Sequence, residues 1–163
     1  MLGLFEKAFD GMSVVDFQYG KIDSDQAWPV FGFVLTDAEF GELLARLKAG
    51  GYEASGVDET PSVRFRAITC DPSSLTHPVF LEIDFYEREG ALRAFLHDVV
   101  RGEANLCYFN YRYSGERIGR ALIALEFDTE SHRDDFCGDL PFKGSGYRRA
   151  RILTKEEERW LVP

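Results

Sequence analysis

Apolar and polar side chains alternate along residues 78–86, the pattern of a strand with one buried face. Over residues 89–100 the apolar side chains recur at three- and four-residue spacings, which predicts an amphipathic helix that ends near Gly102. The second half of the chain is therefore expected to begin with a strand followed by a helix.

Two extended stretches come next, at residues 104–113 and 119–128, and a Ser-Gly-Glu segment between them predicts a hairpin turn. A short helix near residues 130–140 and a strand at 147–153 complete the pattern. The order βαββαβ is the ferredoxin-like arrangement, in which helices cover one face of an antiparallel sheet and the other face stays open for a partner or a ligand.

The sequence also repeats itself. Residues 14–19 (Val-Val-Asp-Phe-Gln-Tyr) correspond to residues 106–111 (Leu-Cys-Tyr-Phe-Asn-Tyr). At the same offset, residues 30–35 correspond to residues 122–127. A register that is kept over this distance predicts a duplicated chain.

The first copy lacks the strand that opens the second. From its helix onward it repeats the same order, with a helix, two hairpin strands, a second helix and a final extended segment at residues 2–10, 13–22, 28–36, 37–48 and 52–57. Residues 62–69 are rich in strand-forming side chains and could fill an edge place in either sheet. Otherwise another chain must cover that edge, because an exposed apolar strand edge invites association. We therefore expect a homo-oligomer.

The predicted fold class is α+β, with two ferredoxin-like modules that have antiparallel sheets. The first module occupies residues 1–69 and lacks its first strand, residues 70–77 form a linker, and the second module occupies residues 78–163. A chain of 163 residues is long enough for two small domains of this kind.

The charge and the apolar runs restrict the possible partners. With 28 acidic and 19 basic side chains, the net charge of -9 repels a polyanion, so nucleic acid is not an expected partner. No apolar run approaches the roughly 20 residues that span a bilayer. The start carries Glu6, Lys7 and Asp10, which does not fit a secretory signal, and we expect a cytoplasmic protein.

Catalytic signatures are weak. The three cysteines and three histidines are too widely spaced to predict a metal site or a disulfide framework. Asp84, Glu87, Glu89 and His97 could form an acid-base set for a hydrolase or isomerase. A half-exposed strand explains Asp84, however, and Glu89 suits the electropositive first turn of a helix. No nucleophile elbow or phosphate loop is present in the sequence, so we expect a protein that is not an enzyme.

Several segments of both copies resemble a known protein family. The second copy is similar to the last regulatory module of threonine dehydratase (threonine ammonia-lyase) through residues 77–85, 89–92, 109–112 (Phe-Asn-Tyr-Arg) and 119–127. The first copy resembles the preceding module of that enzyme through residues 17–19 and 50–52. Together the two likenesses span most of the chain.

The resemblance implies a pair of ACT-like domains, which in that enzyme bind isoleucine as inhibitor and valine as its antagonist and contact neighbouring subunits. It links the tyrosine of a Phe-x-Tyr motif to the effector site, and that tyrosine corresponds to Tyr19 and Tyr111. The arginine that follows is kept as Arg112, which could pair with a carboxylate, but is replaced by Gly20 in the first copy.

In the second copy the resemblance further implies that Leu92 and Leu96, on the first helix, affect feedback sensitivity and could line an aliphatic recess. The backbone amide of Gly90 could face a ligand carboxylate at the start of that helix. The sequence therefore favours residues 91–112 of the second module as the binding region, with Tyr19 as a further candidate.

Pyridoxal catalysis is not expected, because the chain is too short to hold the family's catalytic domain. Residues 142–144 (Phe-Lys-Gly) resemble a pyridoxal lysine motif but lack the surrounding phosphate-binding glycines and serines. We expect no cofactor.

Two functional hypotheses follow. The first is a stand-alone sensor of a branched-chain amino acid, whose binding changes its own assembly or that of a separate enzyme subunit. The second is a module that only oligomerises and has lost its ligand pocket.

Overall fold

The computed structural model describes residues 3–21, 28–58, 60–64, 66, 70–86, 90–100, 102, 104–140 and 147–158. In this part the chain is α+β and contains one six-stranded antiparallel sheet. The strands are β1 (Asp16–Gly20), β2 (Val30–Gly32), β3 (Val79–Tyr86), β4 (Asn105–Arg112), β5 (Ile118–Glu126) and β6 (Arg149–Ile152). The α-helices are α1 (Asp37–Ala49), α2 (Pro61–Arg64), α3 (Ala91–Phe95), α4 (Glu130–Asp139) and α5 (Lys155–Glu158).

The second half has the predicted element order, β3-α3-β4-β5-α4-β6. Helix α3 is short and continues as a π-helical turn, Leu96–Val100, so the predicted helix at 89–100 is present but not uniformly α-helical in its described part. Within the sheet the strand order of this half is β4-β5-β3-β6. The hairpin of β4 and β5 is therefore followed by β3, which places the first strand of this half next to its third.

The first half departs from the prediction at its end. A π-helical turn (Leu4–Ala8), β1, β2 and α1 form where expected. The capping box of Thr36 and Glu39 starts α1. Residues 52–57, predicted to be extended, form no strand. Ala54 and Gly56 belong to residue types that are depleted in strands.

The segment 62–69 was also wrongly predicted as extended in the part that the structure describes. Pro61 opens the short helix α2, in agreement with the preference of proline for a first helical turn. Arg66 then adopts a left-handed backbone with φ 55°. Residues 65 and 67–69 lie outside the described residues.

The strands of the two halves form one shared sheet instead of one sheet in each module. Strand β1 pairs with β4 along its whole length, and Gln18 lies directly opposite Asn110. The repeat equates these same two residues. The two copies therefore meet about a local two-fold axis that passes through the Gln18–Asn110 pair, and we call this junction of β1 and β4 the seam.

The main core lies between the helices and one face of this sheet. It contains Phe17 and Phe109 from the seam, Ile123 from β5, and Phe95 and Phe136 from the helices, all nearly inaccessible to solvent. The opposite face, which we call the open face, has a small apolar cluster around Phe80 and Leu153. Because side chains alternate along a strand, each seam strand presents every second residue to the open face.

Residues 70–77 contact both halves of the chain. The backbone amide of Asp71 donates to the carbonyl of Lys21, and the amide of Thr76 donates to Glu126 Oε2 at 3.2 Å. Glu126 is buried and also accepts from Lys21 Nζ and Asn105 Nδ2. This buried carboxylate ties the end of β1 to the end of β5.

Candidate functional site

The two tyrosines that the family resemblance singles out both point into the main core. Tyr19 and Tyr111 are buried, and the ring of Tyr111 lies 5.3 Å from that of Phe85. Burial, with smaller contributions from Cys107 and nearby acidic groups, raises the pKa of the Tyr19 hydroxyl. Both side chains are therefore part of the packing beneath the sheet.

The predicted aliphatic recess is filled core. Leu92 and Leu96 are buried in the same cluster as Tyr111. Gly90 precedes α3 with φ 76°, a left-handed conformation that favours glycine, and a Cβ there would meet no atom within 4 Å. Gly90 thus serves the turn into α3 and lies open to solvent.

Arg112 lies on the other side of the sheet from Tyr111, because neighbouring residues of a strand face opposite ways. Its guanidinium is exposed and forms no hydrogen bond or ion pair with any described residue. Arg112 lines a cleft of about 580 Å³. The structure therefore does not place Tyr111 and Arg112 in the wall of one pocket.

This cleft, which we call the seam cleft, is formed mostly by the first half of the chain. Its polar lining, which we call the polar wall, includes Asp16, Gln18, Asp37, Asp58, Arg66 and Arg112. Its apolar wall is made by Val30, Phe31, Phe33, Leu35, Phe40 and Val63. Arg112 reaches it from β4 because it is the cross-strand partner of Asp16. The second copy thus contributes its arginine to a cleft in the first copy.

Arg66 organises the floor of the seam cleft. Its guanidinium donates to Asp16 Oδ2, to Asn110 Oδ1 and to the backbone carbonyl of Tyr111, the last at 3.0 Å. A left-handed backbone at a residue other than glycine costs on the order of 1–3 kcal/mol, and it persists where the surroundings hold it in place. The charge-assisted hydrogen bonds of Arg66 to both seam strands stabilise this backbone conformation.

Gln18 has an unused acceptor in the same cleft. The side chain is only 3% exposed, and its Nε2 donates to Asp16 Oδ1 and to the carbonyl of Val63, both at 3.4 Å. Both partners can only accept, so the amide nitrogen must face them and the oxygen must face away. Gln18 Oε1 has no hydrogen-bond partner among the described residues. A buried acceptor left in this state costs about 1–3 kcal/mol.

A close approach between β1 and β2 shapes the neighbouring wall. Gly32 lies opposite Asp16, and a Cβ built on Gly32 would stand 2.7 Å from Asp16 Cβ. Nothing larger than glycine fits there without displacing Asp16.

Gln18 and Arg66 were not predicted as site residues from the sequence. Gln18 stands opposite Asn110 in the repeat, so an amide at the same place in both copies was the available signal. Arg66 lay within a segment that was interpreted as a strand, and nothing in its sequence context indicates its backbone conformation.

The proposed acid-base set does not converge in its described part. Asp84 lies on the open face, 3.7 Å from Arg120 Nε, whereas His97 lies on the π-helical turn after α3. Glu87, Glu89 and residues 142–144 lie outside the described residues. Across the described ranges, no group of three or more histidine, cysteine or acidic side chains could hold a metal ion. The described ranges contain no helix that is long and apolar enough to cross a membrane.

Comparison with known proteins gives one family. Residues 73–154 match the family described as the C-terminal regulatory domain of threonine dehydratase. The match covers half of the chain and extends from just before β3 to just after β6. That family is a regulatory domain and not a catalytic one. Among curated proteins, none matches the chain.

Proposed function

Because the chain belongs to the family of C-terminal regulatory domains of threonine dehydratase, we propose that it is a stand-alone cytoplasmic regulatory protein that binds a branched-chain amino acid, such as isoleucine or valine. It carries out no catalysis itself and needs no cofactor. Its two halves act as ACT-like, ferredoxin-like modules, of which the first is incomplete. The observation that supports the proposal is Arg112, which lines the seam cleft and whose guanidinium has no partner among the described residues.

The seam cleft has the chemistry that an amino acid requires. The guanidinium of Arg112 can hold a carboxylate through two parallel hydrogen bonds. Val63 and Phe33 on the apolar wall offer a place for a branched side chain, whose burial contributes roughly 1.5–3 kcal/mol. Micromolar binding needs about 8 kcal/mol. The polar wall must therefore supply a large part of the affinity.

Tyr19, Tyr111, Leu92, Leu96 and Gly90 have a different role in this proposal. They lie beneath the sheet or at its margin and respond to the ligand without lining the cleft. The link is Arg66, which bonds to the backbone carbonyl of Tyr111 from the open face. A ligand that binds beside Arg66 shifts this side chain together with the seam strand to which it is hydrogen-bonded, and through that strand the core against which α3 packs.

Coupling of this kind needs a second site, which is an interface with another copy or with a separate enzyme subunit. The effector changes the affinity of the protein for that partner by favouring one arrangement of the seam.

Isothermal titration calorimetry with isoleucine, valine, leucine and threonine tests the proposal. We expect binding of at least one branched-chain amino acid, and a loss of about tenfold or more in Arg112→Ala, as one charged pair is removed. Arg120→Ala is the matched control, since Arg120 is also an exposed arginine of the open face but lies outside the seam cleft. Folded protein that binds none of the four amino acids would refute the function.

A second candidate function, oligomerisation without a ligand, is favoured by the edge of β2. This strand pairs only with β1 among the described strands, although the corresponding strand of the second half, β5, also pairs with β3. An apolar groove of about 460 Å³ runs between β2 and α1, and Trp28 and Val34 beside it are 66% and 85% exposed.

In this alternative a strand from a second copy covers the bare edge. Light scattering after size exclusion tests it with Val34→Lys, which we expect to lower the molar mass if the edge is an interface. An unchanged monomeric mass in both proteins would exclude this assembly.

A further inference from the structure

The side-chain amides of Gln18 and Asn110 face each other at the centre of the seam. Only that of Asn110 has hydrogen-bond partners for both its oxygen and its nitrogen among the described residues. Asn110 Oδ1 accepts from the guanidinium of Arg66, and its Nδ2 donates to the hydroxyl of Tyr108. Gln18, its cross-strand partner and its equivalent in the repeat, makes both donor contacts, but its Oε1 accepts from none of the described residues. One amide of the symmetric pair thus receives a cationic N–H donor, whereas the other has no donor in the described part of the chain.

Gln18 and Arg112, whose acceptor and guanidinium have no partner among the described residues, line the same cleft. Gln18 pairs with Asn110 and Asp16 pairs with Arg112, so Gln18 and Arg112 are diagonal neighbours on the same face of the sheet. Such diagonal positions are roughly 7–8 Å apart. Two side chains that project from positions at this backbone spacing into one cleft can both contact a small molecule that carries its donor and its anionic group on adjacent carbons.

We infer that the seam cleft binds the zwitterionic head of an α-amino acid, with the α-ammonium donating to Gln18 Oε1 and the α-carboxylate paired with Arg112. This inference rests on the proposed function and assigns its site. Asp16 beside Gln18 already accepts from Arg66 and from Gln18 itself, whereas Gln18 Oε1 is the buried acceptor that has no donor among the described residues.

The same geometry fixes the stoichiometry. The two-fold mate of Gln18 is Asn110, whose oxygen is occupied, and the mate of Arg112 is Gly20, which has no side chain. The partner half of the seam therefore lacks both anchors. Each chain binds one amino-acid head at this seam.

Calorimetry with L-valine and two truncated analogues tests this assignment on the wild-type protein. The analogues are 3-methylbutanoate, which lacks the ammonium, and 2-methylpropan-1-amine, which lacks the carboxylate. We expect one site per chain for valine and affinities at least about tenfold lower for each analogue, the loss of one charge-assisted hydrogen bond. Equal binding of valine and 3-methylbutanoate overturns the role of Gln18.

The variants Gln18→Leu and Arg112→Gln then locate the two contacts. Gln18→Leu should bind valine as weakly as wild-type protein binds 3-methylbutanoate and should no longer distinguish the two. Arg112→Gln should bind valine as weakly as the wild-type protein binds 2-methylpropan-1-amine, and it should no longer distinguish the two. Arg120→Gln should keep the wild-type affinities. Gln18→Met replaces Gln18→Leu if circular dichroism shows that the latter does not fold.

The possible outcomes separate the site from the function. If valine binds the wild type and both Gln18 and Arg112 variants keep wild-type affinity and selectivity, the site assignment is wrong and the amino-acid-binding function stands. If the folded wild type binds no amino acid, both are wrong.

Discussion

Replacing Phe17 by alanine should destabilise the whole sheet and not only the first half of the chain. Phe17 is fully buried on β1, and its ring stacks between those of Phe31 and Phe109, with centroids 4.4 and 4.5 Å away. Truncation of a buried phenylalanine costs about 3–5 kcal/mol, which already contains the contribution of about 0.5–1.5 kcal/mol from each aromatic pair. We expect a loss near 4 kcal/mol, a large part of the 5–15 kcal/mol typical of a folded domain.

Urea denaturation followed by circular dichroism measures this loss, and hydrogen exchange locates it. If β1 and β4 belong to one cooperative sheet, amide protection must fall in both strands. Tyr86→Ala is the control, because Tyr86 is 58% exposed at the end of β3 and its replacement should change stability by about 0.5 kcal/mol or less. A Phe17→Ala protein that loses under about 1 kcal/mol, or in which only β1 loses protection, would refute the shared sheet.

Three further predictions follow from local contacts. Glu39 accepts from the backbone amide and hydroxyl of Thr36, which lowers its pKa below the ordinary 4.5. The folded-state pKa is the lower one, so this cap stabilises α1 above about pH 4.5 and is lost as the pH falls; Glu39→Gln should flatten the acid branch of a pH titration of helicity. Burial raises the pKa of the Cys107 thiol, so thiol labelling analysed by mass spectrometry should leave Cys107 unmodified until the protein unfolds. Gly32→Ala should lower the melting temperature and weaken amino-acid binding together, because the new methyl group displaces Asp16; an unchanged binding constant would show that this wall does not contact the ligand.

The fold of the second half could be predicted because its patterns are strong and mutually consistent. The alternation through Val79 and Phe85 predicted β3, and the spacing of Leu92 and Leu96 predicted the helical segment that follows. Such patterns report burial directly, since period two and period 3.6 each define a single apolar face.

The pairing of the two copies could not be predicted in the same way. The repeat showed that residues 14–19 and 106–111 are equivalent, but equivalence does not say whether two strands are neighbours. Residues 52–57 were interpreted as extended from their place in the repeat, and residues 62–69 from strand propensity, which depends on the availability of a partner strand.

The candidate site was predicted only in part. Arg112 was found through the family resemblance, and its place in an open cleft agrees with a role in ligand binding, which remains a prediction. Tyr111 was expected beside it, but residues next to each other on a strand face opposite sides of a sheet. Gln18 and Arg66 depend on contacts between segments that are distant in sequence, namely β1, β4 and the region after α2.

Nuclear magnetic resonance of the side-chain amide of Gln18 and the Nε–H of Arg112, recorded during a titration with L-valine, tests the central claim most directly. Amino-acid binding in the seam cleft predicts that these two signals shift together, with one binding constant, and more than those of Gly90 and α3. Valine binding that leaves both signals in place and moves those of Gly90 and α3 would contradict the account.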